Sequence, residues 1–588
     1  MATSIGCGDD DVGPRAAEDS GIVDAPAADS GADDDAAVDG GSDAEVDAGP
    51  PPGVPDRYCP GGEGCDGDGD GVLRVGAAAV DISPTIDETT EVQTVDVDGN
   101  GQYDPGDGDE FADRDGDGAF DGVWMVNSNG RGASSVHDPL WARAIVLSRG
   151  ETTLALVAVD LYGYFADQVD AIRESLADTG IDHVLVASTH THSARDVLGF
   201  NGPSAIEYGV DPAYNAFLRT AIARAVRDAL AAVRPAHVQC AALQLRDQPG
   251  GTSRYVSDLR PPIVIDDEVR VMRFVDAADD AVTVATLVNW AQHPEAWPGN
   301  SQALSSDMFH WLRTGIEDGA VASDGASLPG VGGIAVVFQG ASGGNLGPLD
   351  VAAVEWDGTP VEGRQSERKA EVLGSQVASF VLRALGPGGG SVTDETAEIG
   401  FRTRRFLVKL QNRFFQVALL AGLFGTERPT FAWDDMRAIL PGRNEPSLRT
   451  EVSVIDIGRA SIATVPGELD PDLFVGGYDG SHTPEGIDIN PPMPNAPDLD
   501  DAPPPPYLRD LLLEREGAEH AFLFALANDQ IGYLIPEFNY VLHPTAPYVR
   551  EAEGEHYDET YSIGIDGWPT VRAQLEPLIR WRPAARGD

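Results

Sequence analysis

From Thr152 to Ala187 the chain reads as two continuous apolar runs, Thr152–Val159 and His183–Ala187, separated by a segment with helical spacing. Phe165, Val169, Ile172 and Leu176 recur at three- and four-residue intervals, and Gly180 ends the segment. A strand, a helix and a second strand in that order imply a parallel pair. In such sheets, chemistry collects just past the carboxyl ends of strands. The expected fold class is therefore α/β: a mixed β-sheet domain with helices packed around it and its site at strand carboxyl ends. The rest of the chain agrees. Asn215–Val233 and Lys369–Leu385 have helical spacing, Ile334–Phe338 is a short apolar strand, and Glu451–Val465 returns to strands.

Composition limits what such a fold can bind. The 588 residues are 42% hydrophobic, with 19 Phe, 14 Tyr and 9 Trp, which is ample for a packed core. Lys and Arg number 40 against 96 Asp and Glu, a formal net charge of −56, which argues against nucleic acid as a partner. No stretch reaches the roughly 18 apolar residues that span a bilayer. The charge is uneven. Residues 1–50 hold 14 acids and one base, Arg15, and run into Pro50-Pro51-Pro52. Residues 1–58 are expected to be a disordered acidic tether, with the globular domain at 72–588. Ser4-Ile5-Gly6-Cys7, followed by acidic residues, looks like the end of a truncated bacterial lipoprotein signal. Export follows as an expectation, either as a cell-envelope lipoprotein tethered to the membrane through Cys7 or as a secreted protein. Cys59 and Cys65 suit a small disulfide loop or half of a metal site, with no second pair to complete it; Cys240 reads as buried.

Residues 86–132 read as a calcium-binding insertion. Asp96, Asp98, Asn100, Gln102, Asp104 and Asp107 occupy the ligand positions of an EF-hand loop, with Gly101 at the sharp turn. Asp113, Asp115, Asp117 and Asp121, with Gly118, repeat the first nine positions, but Trp124 stands at the twelfth. Asp66, Asp68 and Asp70 begin a shorter version. Clustered carboxylates repel unless a hard cation neutralises them, so a structural Ca²⁺ is expected here.

His190-Thr191-His192 follows the run Val184–Thr189 directly. On an extended segment residues i and i+2 face one side, so both imidazoles could face one cation or one substrate. His293-Pro294 follows the apolar Val284–Trp290, and Glu468 follows Ile462–Val465. Three potential ligands each end a strand-like run, as in a metal site assembled from distant segments.

These segments resemble the neutral/alkaline, non-lysosomal ceramidases. The resemblance runs from Val75–Pro84 to about Tyr561 and takes in Asp138–Ala144, the Ser188-Thr-His190-Thr-His192-Ser193 motif, Asn289-Trp290 with His293-Pro294, Ser305-Ser306-Asp307, Val465-Pro-Gly-Glu468, and Ala527-Asn528 with Gly532-Tyr533 and Pro536-Glu537. It implies a zinc-dependent hydrolase cleaving an N-acyl amide such as ceramide or a ceramide-like lipid, with release of a fatty acid. Carried over by motif, His190, His293, Glu468 and Tyr533 hold zinc, His192 transfers a proton, and Arg254 and Tyr557 face the substrate.

The sequence departs from the family at Gly344-Asn345-Leu346-Gly347-Pro348, where Gly347 stands in place of the family's catalytic serine. The nearby Gly340-Ala341-Ser342-Gly343-Gly344 invites a serine-hydrolase reading through Ser342. A third reading is a non-catalytic, calcium-stabilised surface lipoprotein. The apolar run Phe414–Phe424 fits a core helix or a lipid-facing lid. Oligomeric state is not legible in the sequence.

Overall fold

A computed structural model describes residues 54–583 apart from 66, 68, 205–206, 421–429 and 432–445. The acidic opening segment with Cys7, the residues Asp66 and Asp68, and the end of the apolar run at 421–424 lie outside the described residues.

The larger sheet is mixed. In space its strands run Ile334–Gln339, Asp279–Trp290, Glu268–Asp276, Arg234–Gln244, Arg74–Asp81, Trp141–Arg149, Thr152–Val159 and His183–Ser188, with Val392–Asp394 beside Arg234–Gln244. The pair predicted parallel, Thr152–Val159 with His183–Ser188, is parallel, and so is Asp279–Trp290 with Ile334–Gln339. A second sheet joins Arg57–Cys59, Ile399–Lys409, Ser447–Ile457, Ala460–Thr464 and His520–Phe524.

Alternation along the strands explains how the sheets stack. Leu154, Leu156 and Ala158 share one buried cluster with Ile455, Ile457, Ile462, Phe522 and Phe524 of the second sheet. The intervening Ala155, Val157 and Val159 belong to another cluster, with the helices Ala166–Ser175 and Pro212–Ala231. The Phe338 and Phe524 rings stack across the sheets at 4.2 Å. Leu156 is fully buried, and burying such a side chain contributes about 1.5–3 kcal/mol.

Helix boundaries follow their caps. Asp211 accepts from the Ala213 amide at 2.8 Å, with Pro212 opening that helix, and Ser366 caps Glu367–Leu385 through the Lys369 amide. Phe165 has an extended backbone, so the first helix starts one residue later than its spacing predicts. In Arg413–Leu420, Phe415 and Ala418 are buried in the core while Val417 is exposed, so the described part of the apolar run packs as a core helix.

The acidic insertion is also anchored. Tyr103, Phe111, Phe120 and Trp124 form a ring cluster with neighbouring centroids 4.9–5.3 Å apart. Cys59 and Cys65 form a disulfide, and Cys240 is a buried free thiol. Among the described residues no helix is long and apolar enough to cross a membrane.

Candidate metal centre

The larger sheet brings its two ends together. At the end of Ile334–Gln339, Gln339 Nε2 donates to the Thr189 carbonyl at 2.9 Å and to the Gln292 carbonyl at 2.6 Å. Those carbonyls belong to the residues just before His190 and His293, so one amide ties both histidine segments to one strand end.

His190 has a φ of 69°, the left-handed region that a residue with a side chain seldom adopts. The His190-Thr191-His192 segment is therefore a turn rather than the extended stretch that the sequence predicts. The two rings converge edge to face, with centroids 5.0 Å apart. Surrounding bonds impose this turn. The His190 amide donates to the Leu161 carbonyl and Thr189 Oγ1 donates to Asp160, which is itself clamped by Arg313 at 2.8 and 2.9 Å.

The histidine tautomers follow from their partners. Nδ1 of His190 lies 2.6 Å from the Tyr162 carbonyl, and Nδ1 of His293 lies 2.6 Å from the Leu346 carbonyl. Each therefore donates through Nδ1 and turns Nε2 toward the interior of the cluster. Both Nε2 atoms are 3.2 Å from Glu468 Oε2. His192 Nδ1 lies 2.8 Å from Glu295 Oε1 and 3.1 Å from Asn127 Oδ1. Its Nε2 is buried without a hydrogen-bond partner. His190, His192 and His293 each offer an atom within 4.8 Å of the others. Glu468 pairs in parallel register with Tyr533, so the carboxylate and the phenol project from one side of adjacent strands.

Electrostatics mark the same cluster. Burial opposes the charge on Glu468, but His190 and His293 outweigh it and hold the carboxyl well below its usual range. Burial works against protonation of His293 too, yet Glu468 and Glu295 lift it to about 9. Burial lowers His192 despite Glu295. The Nε2 atoms of His190 and His293 meet one oxygen of Glu468, whose neighbour across the strands is Tyr533, and this donor set suits zinc.

A cavity of about 520 Å³ opens onto this cluster, lined by His293, Glu295, Tyr533, Tyr557, Ser257 and Gly347 among others. The Tyr533 and Tyr557 rings are 6.1 Å apart. Arg254 is not among the lining residues. Its Nη2 donates to the Val354 and Glu355 carbonyls and its guanidinium lies over the Trp356 ring. The structure thus turns it away from the place that the sequence predicts. A Cβ on Gly347 would sit 3.5 Å from His293 Cβ and 3.6 Å from Glu295 Oε2. A side chain at 347 would therefore border the histidine cluster, and Glu295 already faces that space. Ser342 is fully buried, lines no part of the cavity, and is followed by bends rather than the helix that a nucleophile elbow requires.

Sequence reasoning missed Glu295, Asn127 and two carboxylates of the acidic insertion. In the first loop the amides of Val97 and Asp104 donate to the two oxygens of Asp109, at 2.8 and 2.9 Å. In the second, the amides of Arg114 and Asp121 donate to the two oxygens of Glu91, at 2.7 and 2.9 Å. These are the second and ninth positions of both loops. Asp109, rather than the predicted Asp107, closes the first loop. Glu91, just before the short strand Gln93–Val95, closes the second, where Trp124 offers no carboxylate. Asp113 and Asp115 converge with Glu91, and Asp115 also converges with Asp117 and Asp121. The first-loop residues Asp96, Asp98, Asn100 and Asp104 accept amides of their own loop, and no such convergence is found for them among the described residues.

No protein-family model matches the chain, and no curated protein matches it in sequence. Two solved structures are similar in fold. One is a neutral ceramidase from Pseudomonas aeruginosa, at a TM-score of 0.54 and 14% identity over 87% of this chain and 74% of that one. The other is a ceramidase complexed with C2, at a TM-score of 0.53 and 14% identity over 88% of this chain and 77% of that one. The chain has a neutral-ceramidase-like α/β fold.

Proposed function

We propose that the chain is a zinc-dependent amidohydrolase that cleaves the N-acyl amide bond of ceramide or a ceramide-like lipid and releases a fatty acid. The observation that carries this reading is the convergence of His190, His192, His293 and Glu468 beside a cavity lined by two tyrosines. The neutral-ceramidase-like fold supports it.

His190, His293, Glu468 and Tyr533 would hold the zinc, which when bound supplies Lewis-acid activation of water and of the amide carbonyl. The chain's own residues supply the rest. The Tyr162 and Leu346 carbonyls fix the two ligand imidazoles through Nδ1. Glu295 holds His192 by Nδ1, which leaves Nε2 for the proton transfer. Water adds to the acyl carbon as His192 Nε2 takes its proton, the C–N bond breaks, and His192 Nε2 hands that proton to the departing nitrogen. Tyr557, on the cavity wall, hydrogen-bonds the carbonyl oxygen as charge develops there. Ser342, sealed in the core, takes no part.

The assay is fatty-acid release from ceramide, an N-acylethanolamine and an N-acyl amino acid by the full chain with added zinc. Release from at least one, abolished by chelation and restored by zinc, is expected. No release from any amide would overturn the reading and favour a surface protein that keeps the fold without the activity.

The acidic insertion is proposed to hold calcium, with Glu91 completing the second loop and Asp109 the first. Burial and the neighbouring Asp117, Glu91 and Asp115 hold Asp121 above the usual carboxylate range, a crowding that a hard cation relieves. An exported protein with a membrane tether at Cys7 remains part of the proposal.

A further inference from the structure

Behind the cavity wall lies a second, much smaller chamber. Gly344 borders both spaces. The chamber measures about 10 Å³, room for about one water-sized sphere, and its polar lining is Asp258, Arg260, Asp470, Asp472 and Asn539.

Three of those side chains offer a buried oxygen without a close hydrogen-bond partner, the Tyr478 hydroxyl being the one group near the Asp472 carboxylate that could turn to it. Asp470 Oδ1, Asp472 Oδ1 and Asn539 Oδ1 have no hydrogen-bond partner, and their residues are 4%, 3% and 2% exposed. The Asn539 amide is not free to turn over, because its Nδ2 donates to the Pro261 carbonyl at 2.7 Å. Glycine at 343 is required on the same wall, since a Cβ there would come within 2.5 Å of Asp470 Oδ1.

Charge does not balance around the chamber. Arg260 is the one cationic side chain in the lining, and it is already committed. Its Nη1 and Nη2 reach Glu559 at 2.8 and 3.0 Å, and Nη2 also donates to the Asn539 carbonyl. Only its Nε approaches Asp470, at 3.9 Å. Asp558, 3.6 Å from the same guanidinium, adds a further buried carboxylate with neither oxygen partnered. Burial pushes Asp258 well above the usual carboxylate range, and the nearby Asp558 and Asp472 add to it.

We propose that this chamber is a buried calcium site, separate from the acidic loops, formed by Asp258, Asp470, Asp472 and Asn539. The donors are all hard oxygens, which select Ca²⁺ or Mg²⁺ over a softer metal. Mg²⁺ keeps several of its waters and demands a regular octahedron, whereas Ca²⁺ accepts an irregular set of protein oxygens. A chamber that admits one water-sized sphere therefore favours Ca²⁺. The ion joins three separate segments: the Ser257–Arg260 stretch, the Asp470–Asp472 stretch two residues after Glu468, and the turn that carries Asn539. It braces the wall behind the cavity.

The test counts calcium and zinc per chain by elemental analysis on full-length protein equilibrated in a calcium buffer. A background with Asp96→Ala and Asp113→Ala removes the contribution of the loops. About one calcium is expected to remain in that background. Asp472→Asn in the same background should then lose it while the zinc content and the circular dichroism spectrum stay unchanged. A background chain without calcium, or an unchanged count in the folded Asp472→Asn variant, overturns the proposal. Should Asp472→Asn fail to fold, the background chain decides alone. A thermal midpoint that rises with added calcium supports the site, and one that does not move means that the acids are neutralised by protons instead.

Discussion

At the level of single residues, the centre rests on how each imidazole is held from behind. A strand-ending histidine is legible in sequence as an apolar run that stops. The carbonyls of Tyr162 and Leu346 are not, because any residue supplies a carbonyl and only the fold decides which one is near. Glu295 was within reach of sequence reading, standing two residues after His293, but its partner His192 is distant in the chain. Glu295→Gln keeps the size of the side chain and removes the charge that fixes His192. Its kcat should fall about 10–100-fold with zinc content unchanged. A wild-type kcat would show that His192 needs no such support. Ser342→Ala should leave activity at the wild-type level, and complete loss would restore the serine reading.

At the level of elements, the strands and helices were legible because periodicity survives locally, as in Thr152–Val159 and Pro212–Ala231. The stacking of the two sheets was not, since it joins residues such as Leu156 and Phe522 that are hundreds of positions apart. One clasp holds the helix Ala166–Ser175 to the second sheet. Arg173 Nη2 and Nη1 reach the two oxygens of Glu451 at 2.8 and 3.0 Å, and Asn528 donates to the same carboxylate. Burial opposes the Glu451 charge, but Arg173, His183 and Arg405 outweigh it and hold its carboxyl near about 2, against an ordinary 4.5. Nearby His183 is pushed by burial from 6.5 to about 3. Both values are depressed on folding, so both contributions are complete at neutral pH and lost on the acid side. That of His183 fades as pH drops from about 6.5 toward 3, and that of Glu451 below about 4.5. Urea unfolding at a series of pH values should show stability falling from near pH 6.5 downward, whereas a flat profile between pH 7 and 5 would contradict it. Glu451→Gln strands Arg173 and should cost about 3 kcal/mol at pH 7.

For the molecule as a whole, a net charge of −56 is a self-repulsion that the proposed bound cations would relieve. The insertion shows why only half of this could be read in advance. The spacing of Asp96 to Asp104 and Asp113 to Asp121 is local, whereas Glu91 reaches the second loop from 22 residues before Asp113. Its far end also touches the centre, through Asn127 on His192 and Arg131 on the His192 carbonyl. Removing calcium should therefore lower the thermal midpoint and also reduce activity at constant zinc, and a chelator selective for calcium that changes neither would contradict the link. The central claim is tested most directly by zinc per chain, measured by elemental analysis on wild type and His190→Ala purified alike. About one zinc in wild type and far less in the variant is the predicted result. No zinc in either after refolding with the metal, or the same content in both, would contradict it.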